Sequence, residues 1–381
     1  MEKIQLIATA PQGLEAVVKR EILARGYRII EVENGRILYE GDLTAIPDSN
    51  IWLRTADRIH VLMGEFTALT FDELYRRTRE LPWEKWIPVT GKMHVKGKAQ
   101  KSQLMSVSDC QSIVKKAIVD RMKEHHEIDW FEESGAPFSI QIALNNDRAT
   151  LTMDTSGVGL HKRGYRQTQG EAPMKETLAA ALVKLSVWRA DRVLLDPFCG
   201  SGTIPIEAAM IARNIAPGLG RSFAAEEWPI LDASVWKEAK RKAYQAIDYD
   251  TELKIYAYDR DPRMVEIAKE NAIDAGVDDC IEFGVQEFDG VDIQEDYGVI
   301  ITNPPYGVRL GEQQEVENLY RKMGLSFQQL TTWSKYIITG EERFERLYGI
   351  QAFRNRKLYN GRIRTYYYQY LGPKPVKSKE A

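Results

Sequence analysis

The sequence has few residues that could hold a metal ion or a disulfide. Its 381 residues include only three cysteines and five histidines, and neither type shows a CxxC, HExxH or comparable ligand spacing. Cys110, Cys199 and Cys280 are also too scattered for a disulfide framework. We therefore expect no metal site and a reducing, cytoplasmic location.

Long apolar runs are scarce as well. No run of about 18 apolar residues could span a membrane, and the N-terminal MEKIQLIATAPQG lacks the basic, apolar and small-residue regions of a signal peptide. A hydrophobic content of 44% is nevertheless ordinary for a globular protein. At roughly 100–200 residues per domain, we expect two or three domains, each with its own core.

Net charge is small, but it is unevenly distributed. Lys and Arg number 52 against 55 Asp and Glu, giving a net charge of −3, which taken alone argues against a nucleic-acid binder. Residues 1–165 are neutral, residues 166–342 carry −11 and residues 343–381 carry +8. Residues 92–123 hold a local excess of six positive charges. Such stretches are either solvated surface or contacts for a polyanion, and two of them around an acidic segment favour a polyanionic partner.

The first 165 residues combine helices with antiparallel hairpins, a mixture typical of an α+β fold. Hairpin turns are predicted at Asn34–Gly35 and at Asn146–Asp147, and Ser106 is predicted to cap a helix. The predicted elements are strand 4–9, helix 13–25, hairpin 28–40, a strand-rich stretch over 51–66, helices 71–80 and 106–126, and hairpin 138–154.

After about residue 165, strands and helices alternate, which predicts a parallel, doubly wound sheet. A final hairpin turning at Asn360–Gly361 fits a seven-stranded sheet with a reversed edge strand, and residues 213–250 are interpreted as an insertion. The predicted elements are helix 175–186, strand 193–195, helix 203–212, strand 254–259, helix 262–275, strands 281–284 and 297–302, helix 316–330, strand 335–339 and hairpin 353–371.

A buried strand, a carboxylate and a glycine-rich turn follow one another in LLDPFCGSGT, residues 194–203. Gly200 and Gly202 would let a ligand approach the backbone where a helix begins. A dinucleotide-binding G-x-G-x-x-G motif would need glycine where Pro205 stands. Because Asp196 would repel a phosphate and attract an ammonium group, we favour a ligand with a cationic amino-acid end, such as S-adenosylmethionine.

The next strand also ends in acidic residues, in YAYDRDP at 256–262. A carboxylate at this position suits the two hydroxyl donors of a ribose, and we assign that role to Asp259. Asp261 precedes Pro262 at a first helical position, so we interpret Asp261 as a helix cap.

The most specific motif is TNPPYG at residues 302–307, which follows the apolar strand VII. A turn with two prolines is rigid, and it can hold the Asn303 side-chain oxygen and the Pro304 carbonyl as fixed acceptors. Two acceptors aimed at one point suit an exocyclic NH2 group, which has two hydrogens to donate. Tyr306 can stack on a planar base taken out of its own stack.

Together these motifs resemble those of class I S-adenosylmethionine-dependent N-methyltransferases of the N-P-P-Y type. The whole chain is similar to the bacterial THUMP-domain ribosomal RNA guanine-N2 methyltransferases. That similarity covers about residues 1–371 and includes ATAPQGLEAVVKREI at the start, the basic segment 71–126, LHKRGYR at 160–166 and APMKETL at 172–178.

The resemblance implies an N-terminal ferredoxin-like module over residues 1–55, a THUMP RNA-binding module over 56–165 and a Rossmann-like methyltransferase domain over 166–381. In this family the first two modules bind RNA, and the last binds S-adenosylmethionine and methylates a guanine amine. Some members carry a second methyltransferase domain; because the sequence ends at Ala381, we expect no second activity.

The resemblance and the motifs together assign roles to individual residues. The catalytic candidates are Asn303, Pro304, Pro305 and Tyr306. The candidates for binding S-adenosylmethionine are Thr177 at its methionine carboxylate, Asp196, Phe198, Gly200, Gly202, Thr203, Asp259, Asn303, and Glu287 or its neighbour Gln286 at the adenine, where family members often have Asp. The RNA-binding candidates are Lys92, Lys96, Lys98, Lys101, Lys115, Lys116, Lys162, Arg163 and Arg166, the last three of which could equally form an exposed linker.

Other functions remain open from the residues alone. The same turn would accept adenine N6 in DNA, a transfer RNA guanine or a protein glutamine amide, although the THUMP-like half argues against DNA and protein. A nicotinamide dehydrogenase is disfavoured by Pro205. A non-catalytic RNA-binding module would have no need of the motif from Asn303 to Tyr306.

Overall fold

The computed structural model describes residues 2–166, 174–291, 293–306, 313–361 and 363–375. They form two compact units. The N-terminal unit comprises the described residues of 1–10, 18–160 and 221–242, and the C-terminal unit those of 11–17, 161–220 and 243–381. The insertion predicted over 213–250 is therefore divided between the units. The domain boundaries after residues 55 and 165 stay predictions.

The elements up to residue 154 are β1 (Ile4–Thr9), α1 (Glu15–Ala24), β2 (Arg28–Glu33), β3 (Arg36–Gly41), α2 (Ala45–Trp52), β4 (Arg58–Thr67), α3 (Phe71–Arg79), β5 (Lys92–Gln100), α4 (Val107–His126), β6 (Pro137–Asn145) and β7 (Arg148–Asp154). The strands form one seven-stranded sheet in the order β2-β3-β1-β4-β7-β6-β5. Neighbouring strands are antiparallel except β5 and β6, which run parallel. The predicted α+β class is confirmed for this half.

Both hairpin turns predicted in this half are present. Asn34–Gly35 joins β2 to β3 and Asn146–Asp147 joins β6 to β7. Gly35, Asn146 and Asp147 have positive φ angles of 79°, 49° and 62°, which are values that glycine, asparagine and aspartate tolerate better than other residues. Local turn chemistry therefore determined these two connections.

Two elements of this half were not predicted. The strand-rich stretch over 51–66 was wrong at its start, because α2 occupies 45–52 and β4 begins only at Arg58. Pro47 and the Asp-Ser-Asn run favour a turn, but six of the eight residues of α2 are buried, and burial outweighs weak propensity. Strand β5 was also not predicted, because its lysines were interpreted only as part of a positively charged stretch and not as the exposed residues of an alternating strand pattern. Ser106 precedes α4 but its side chain makes no capping hydrogen bond.

The later elements are α5 (Glu176–Leu185), β8 (Leu194–Asp196), α6 (Thr203–Ala212), α7 (Ala233–Gln245), β9 (Ile255–Asp259), α8 (Pro262–Ala275), β10 (Ile281–Val285), β11 (Val299–Thr302), α9 (Gln313–Gln328), β12 (Ser334–Thr339), α10 (Phe344–Tyr348), β13 (Arg354–Asn360) and β14 (Ile363–Tyr370). Most of α7 lies in the N-terminal unit. Helices α6 and α8 have the predicted bounds.

A second seven-stranded sheet, in the order β10-β9-β8-β11-β12-β14-β13, organises the C-terminal unit. Strands β8 to β12 are mutually parallel, while β14 is antiparallel to both β12 and β13. The predicted Rossmann-like, doubly wound fold is confirmed, with one correction. The reversed strand is β14, second from the edge, because the final hairpin inserts its second strand beside β12 and leaves β13 outermost.

Alternate residues of each strand face opposite cores. Leu194, Val299 and Ile301 pack on one side of the sheet, and Leu195 and Ile300 pack on the other. Both faces of a parallel sheet are thus covered, which explains its apolar strands. Among the residues described, no helix combines the length and apolar character that crossing a bilayer requires.

The chain order of the strands creates a switch point between β8 and β11. From β8 the chain proceeds outward through β9 and β10, and it then returns to the other side of β8 to form β11 and β12. In open α/β sheets, ligands bind beyond the carboxyl ends of the strands at such a point. The motifs that follow β8 and β11 are therefore brought together at one edge of the sheet.

Candidate active site

All three sequence motifs line one cavity of about 660 Å3 at the carboxyl ends of β8, β9 and β11. We refer to residues 197–202 as the glycine turn and to residues 303–306 as the N-P-P-Y turn. Both turns and Asp259 contribute to the cavity wall. The three motifs therefore lie together at the switch point of the sheet in the C-terminal unit. Gly307, the last residue of the third motif, lies outside the described residues.

Asp196 is a buried carboxylate at the end of β8, with 1% of its surface exposed. Its Oδ1 accepts hydrogen bonds from Thr302 Oγ1 at 2.7 Å and from the Phe198 backbone N–H at 3.2 Å. Burial raises the pKa of Asp196 from 3.8 to about 7, against the opposing effect of these two hydrogen bonds. Among the described residues, no basic side chain forms an ion pair with Asp196. An ammonium group bound in the cavity would supply the missing positive charge.

The glycine turn has a backbone shape that side chains would not tolerate. Gly200 and Gly202 have positive φ angles of 52° and 80°. A Cβ atom on Gly202 would lie 3.0 Å from Cβ of Ala268, so this residue also permits close packing of α6 on α8. Asn271 holds the turn from behind, because its Nδ2 donates to the Ser201 carbonyl at 2.9 Å. The backbone of the glycine turn is therefore held in one conformation at the start of α6.

Asp259 joins the glycine turn to the start of α8. One carboxylate oxygen accepts from the Gly200 N–H and the other from the Asp261 N–H, both at 2.9 Å. A carboxylate has further acceptor sites, so this arrangement is compatible with the ribose contact predicted for Asp259. Asp261 is confirmed as the N-cap of α8, since its side chain accepts from the Arg263 N–H at 2.9 Å.

The cavity wall near the predicted adenine contact includes two aromatic rings. Phe198 and Phe288 stack with ring centroids 5.2 Å apart, and both line the cavity with Gln286 and Glu287. Glu287 is exposed, and the adenine contact assigned to it or Gln286 stays a prediction. Phe288 was not identified from the sequence, although an aromatic residue just beyond a strand end beside these polar residues could have indicated it.

The N-P-P-Y turn has internal and external supports. Tyr306 donates its hydroxyl to Asn303 Oδ1, and Tyr320 of α9 donates to the Pro305 carbonyl at 2.7 Å. Pro304 is buried and Pro305 is exposed. Because the Thr302 hydroxyl donates to Asp196, the end of β11 is also tied to the end of β8. A direct hydrogen bond thus joins the motif predicted to bind the cofactor to the motif predicted to bind the target nucleobase.

The two threonines predicted to bind the cofactor differ in their relation to the cavity. Thr203 lines the cavity and opens α6. Thr177, in the first turn of α5, is fully buried, and its Oγ1 has no hydrogen-bond partner among the described residues. An unpartnered buried hydroxyl is costly, and a ligand carboxylate would relieve that cost. The unpartnered hydroxyl is compatible with the carboxylate contact predicted for Thr177, which stays a prediction.

Arg163 and Arg166 are not available as RNA contacts, which corrects the sequence-based expectation. Arg163 is 3% exposed, and its Nε donates to buried Glu207 at 3.2 Å. The Arg166 side chain is also buried; it donates to the Met174 carbonyl at 3.2 Å and to the Thr203 hydroxyl. These guanidinium groups hold the interior of the C-terminal unit together. Lys162 is exposed.

The remaining basic candidates divide between two sides of the first sheet. Lys92, Lys96 and Lys98 alternate along β5 on its exposed face, with His94 among them. We call these three lysines the lysine face. Their partners on β6 at the same register are uncharged. Since β5 is an edge strand, its lysines would also protect against unwanted strand pairing.

Helix α4 packs on the opposite side of β5, where a Cβ on Gly97 would lie 2.9 Å from Val107. Lys115 and Lys116 belong to this helix and so lie across the sheet from the lysine face. Lys115 Nζ pairs with Glu133 at 3.0 Å, and Lys116 Nζ lies 5.7 Å from the centre of the Tyr75 ring. Lys101 is exposed just beyond β5. The predicted basic segment is therefore not a single patch.

Family models match three successive parts of the chain. Residues 5–60 match an RlmL ferredoxin-like domain, residues 68–154 a THUMP domain, and residues 163–369 an RMKL-like methyltransferase domain. The predicted family resemblance is confirmed by these matches.

Curated relatives agree with the domain matches. A protein of Bacillus subtilis named "Putative RNA methyltransferase YpsC" is 52% identical over 97% of this chain and 96% of its own length. The ribosomal RNA large subunit methyltransferase K/L of Syntrophotalea carbinolica is 33% identical over 94% of this chain. The chain spans 52% of that relative's length.

A solved structure supports the cofactor assignment. The structure titled "SMU.472, a putative methyltransferase complexed with SAH" is 42% identical, covers 99% of this chain and all of its own, and has a TM-score of 0.93. SAH is what remains of S-adenosylmethionine after methyl transfer. The buried Asp196 and the glycine turn fit such a cofactor, which confirms S-adenosylmethionine as the cofactor of this chain.

The raised pKa of Asp196 predicts an unusual dependence of stability on pH. The folded protein releases this proton with a midpoint at about pH 7, whereas the unfolded chain releases it near pH 3.8. Ionisation therefore destabilises the cofactor-free protein as pH rises from about 4 to 7. At pH 8, Asp196→Asn should have a free energy of unfolding higher than that of the wild type by on the order of 2–4 kcal/mol, and therefore a higher melting temperature. Both differences should shrink toward pH 5.

Thermal unfolding at pH 5 and pH 8, with and without S-adenosylhomocysteine, measures both effects of this substitution. We expect Asp196→Asn to lose the thermal shift that the ligand gives the wild type, since it lacks the charge that attracts the ligand's ammonium group. Asp289→Asn, at an exposed carboxylate, is the control and should retain that shift. A stability difference independent of pH would contradict the assigned ionisation.

Proposed function

Since this chain belongs to the RMKL-like methyltransferase family and is an RNA methyltransferase, we propose that it methylates the exocyclic N2 amine of a guanine in large-subunit ribosomal RNA. The observation that carries this proposal is the hydrogen bond between Thr302 and Asp196 at 2.7 Å. This bond supports the proposal because it ties the end of β8, whose carboxylate we assign to the cofactor, to the end of β11, whose following turn we assign to the target base. Such a substrate would place the reaction in the cytoplasm.

The N-P-P-Y turn addresses the main chemical difficulty of this reaction. The lone pair of a guanine amine is delocalised into the ring, so the nitrogen is a poor nucleophile. Asn303 Oδ1 and the Pro304 carbonyl would accept its two N–H hydrogens and favour a pyramidal nitrogen, with the lone pair directed at the methyl group. S-adenosylmethionine supplies that methyl group on a sulfonium. The remaining contribution of the residues is positioning.

The hydrogen bond from Tyr306 to Asn303 Oδ1 supports this role. An amide oxygen has two acceptor sites, so one can hold the tyrosine while the other receives the substrate amine. The tyrosine donor also identifies which end of the amide carries the oxygen. Burial raises the pKa of Tyr306, so its hydroxyl stays a donor. Its ring lines the cavity, where it would stack on the base.

No strong general base is needed in this scheme. After transfer, the methylated nitrogen carries an acidic proton that can leave to solvent. Asp196 is already committed to Thr302 and Phe198, and its proposed task is to hold the methionine ammonium. Asp259 would hold the ribose, and the glycines of the turn would permit close approach.

The lysine face is the proposed contact for the RNA backbone. Alternate residues of a strand are about 6.6 Å apart, so Lys96 and Lys98 present charges at an interval that suits successive phosphates. The residues beside them on β6, Gln141 and Ala143, are uncharged and leave this positive potential uncompensated locally. The THUMP match over 68–154 includes this strand.

Asn303→Ala tests the base-positioning role directly. Removing the acceptor should lower the rate of methyl transfer to RNA by roughly 100-fold, while affinity for S-adenosylhomocysteine stays near that of the wild type. Transfer of labelled methyl groups to total RNA, together with calorimetric ligand binding, measures the two quantities. Near-normal transfer with unchanged ligand binding would refute the assignment of Asn303.

Substitution of the lysine face should weaken RNA binding in a salt-dependent manner. Lys96→Ala combined with Lys98→Ala should lower affinity and reduce the slope of log affinity against log salt by about two. The pair Lys115→Ala and Lys116→Ala removes the same charge from the opposite side of the sheet and is the matched control. Equal losses in both variants, or an affinity insensitive to salt, would contradict the proposed surface.

A further inference from the structure

The N-P-P-Y turn has an unusual structural problem. Proline has no backbone N–H, so Pro304 and Pro305 contribute no donors with which the main chain could fix the turn. Carbonyl groups must then be held by donors from elsewhere if their directions are to be reproducible. The described residues show one such donor at Pro305, and it comes from a different element, α9.

That donor is Tyr320, whose hydroxyl lies 2.7 Å from the Pro305 carbonyl oxygen. The same hydroxyl lies 2.8 Å from Thr339 Oγ1 at the end of β12. Thr339 Oγ1 in turn accepts the Glu341 backbone N–H at 3.1 Å. Tyr320 and Thr339 are both fully buried, so water does not compete for these hydrogen bonds.

Counting donors fixes the direction of this chain of hydrogen bonds. A carbonyl can only accept, so the single hydroxyl hydrogen of Tyr320 goes to Pro305. The hydrogen of Thr339 then goes to the Tyr320 oxygen, and Glu341 donates its N–H to Thr339. Burial raises the pKa of Tyr320, which keeps the hydroxyl protonated. Each hydrogen bond is therefore donated in the same direction, from the end of β12 towards the N-P-P-Y turn.

We propose that Tyr320 is a positioning residue for the methyl transfer, acting through the Pro305 carbonyl. Rotation of the peptide after Pro305 would move Tyr306, and with it the hydrogen bond that orients Asn303. Tyr320 prevents that rotation from a helix that also lines the cavity through Val316 and Leu319. This inference rests on the proposed function, because it assumes that the N-P-P-Y turn holds the target amine.

A purely structural role would make a different prediction. The ring of Tyr320 packs edge-on against Phe344 at 5.0 Å, and Tyr320→Phe retains that contact while removing only the hydroxyl. Tyr367→Phe is a matched control: Tyr367 is also fully buried, and its hydroxyl donates to a backbone carbonyl, that of Leu182, at 2.9 Å. Tyr367 belongs to the core on the opposite face of the sheet.

The test compares melting temperature, cofactor affinity, KM for RNA and kcat in the two variants. Both should melt a few degrees lower than the wild type. Only Tyr320→Phe should lower kcat, by at least 10-fold, with cofactor affinity and KM for RNA within 2-fold of the wild type. Thr339→Val should lower kcat less, and adding it to Tyr320→Phe should cause no further loss, because the two residues act in series.

A kcat for Tyr320→Phe within 2-fold of the wild type, or an equal fall in Tyr367→Phe, would overturn the proposal. Failure of the underlying function is distinguishable. If Asn303→Ala also transfers methyl groups normally, the N-P-P-Y turn does not hold the substrate. If Asn303→Ala is inactive while Tyr320→Phe is fully active, the turn is catalytic and only the role of Tyr320 is wrong.

Discussion

The hydrogen bond from Thr302 to Asp196 joins the two halves of the site. It connects the ends of two adjacent parallel strands, β8 and β11, at the switch point of the sheet. Both residues are almost fully buried, so the bond forms in a medium where polar interactions are strong and unpaired charges are costly. The site assigned to the cofactor and the turn assigned to the target amine are therefore directly linked.

A similar dependence on side chains extends across the site. Glycine and proline give the two turns their shapes, and side chains of other residues hold both turns in place. Asp259 and Asn271 hold the glycine turn, and Tyr320 and Tyr306 support the N-P-P-Y turn.

The small net charge of the protein hides an uneven distribution of charge along the chain. Residues 166–342 carry −11, whereas the lysine face lies in the N-terminal unit, so a total of −3 conceals a local cationic surface.

Local signals explain what was predictable from the sequence. The start of helix α8 was predictable because Asp261 and Pro262 mark it. The motifs at the ends of β8, β9 and β11 were found because parallel strands place such residues together. The buried state of Arg163 was not predictable, since its partner Glu207 lies 44 residues away in sequence. Tyr320 was equally hidden, because an aromatic residue on the buried face of a helix normally indicates packing alone.

The identity of the methylated nucleoside tests the central claim most directly. Ribosomal and transfer RNA from a strain lacking this protein, incubated with the purified enzyme and labelled S-adenosylmethionine, can be digested and analysed by mass spectrometry. The account predicts labelled N2-methylguanosine from the large-subunit ribosomal RNA, at a position that is unmodified in the deletion strain. Label recovered as N6-methyladenosine, or as N2-methylguanosine confined to transfer RNA, would contradict it.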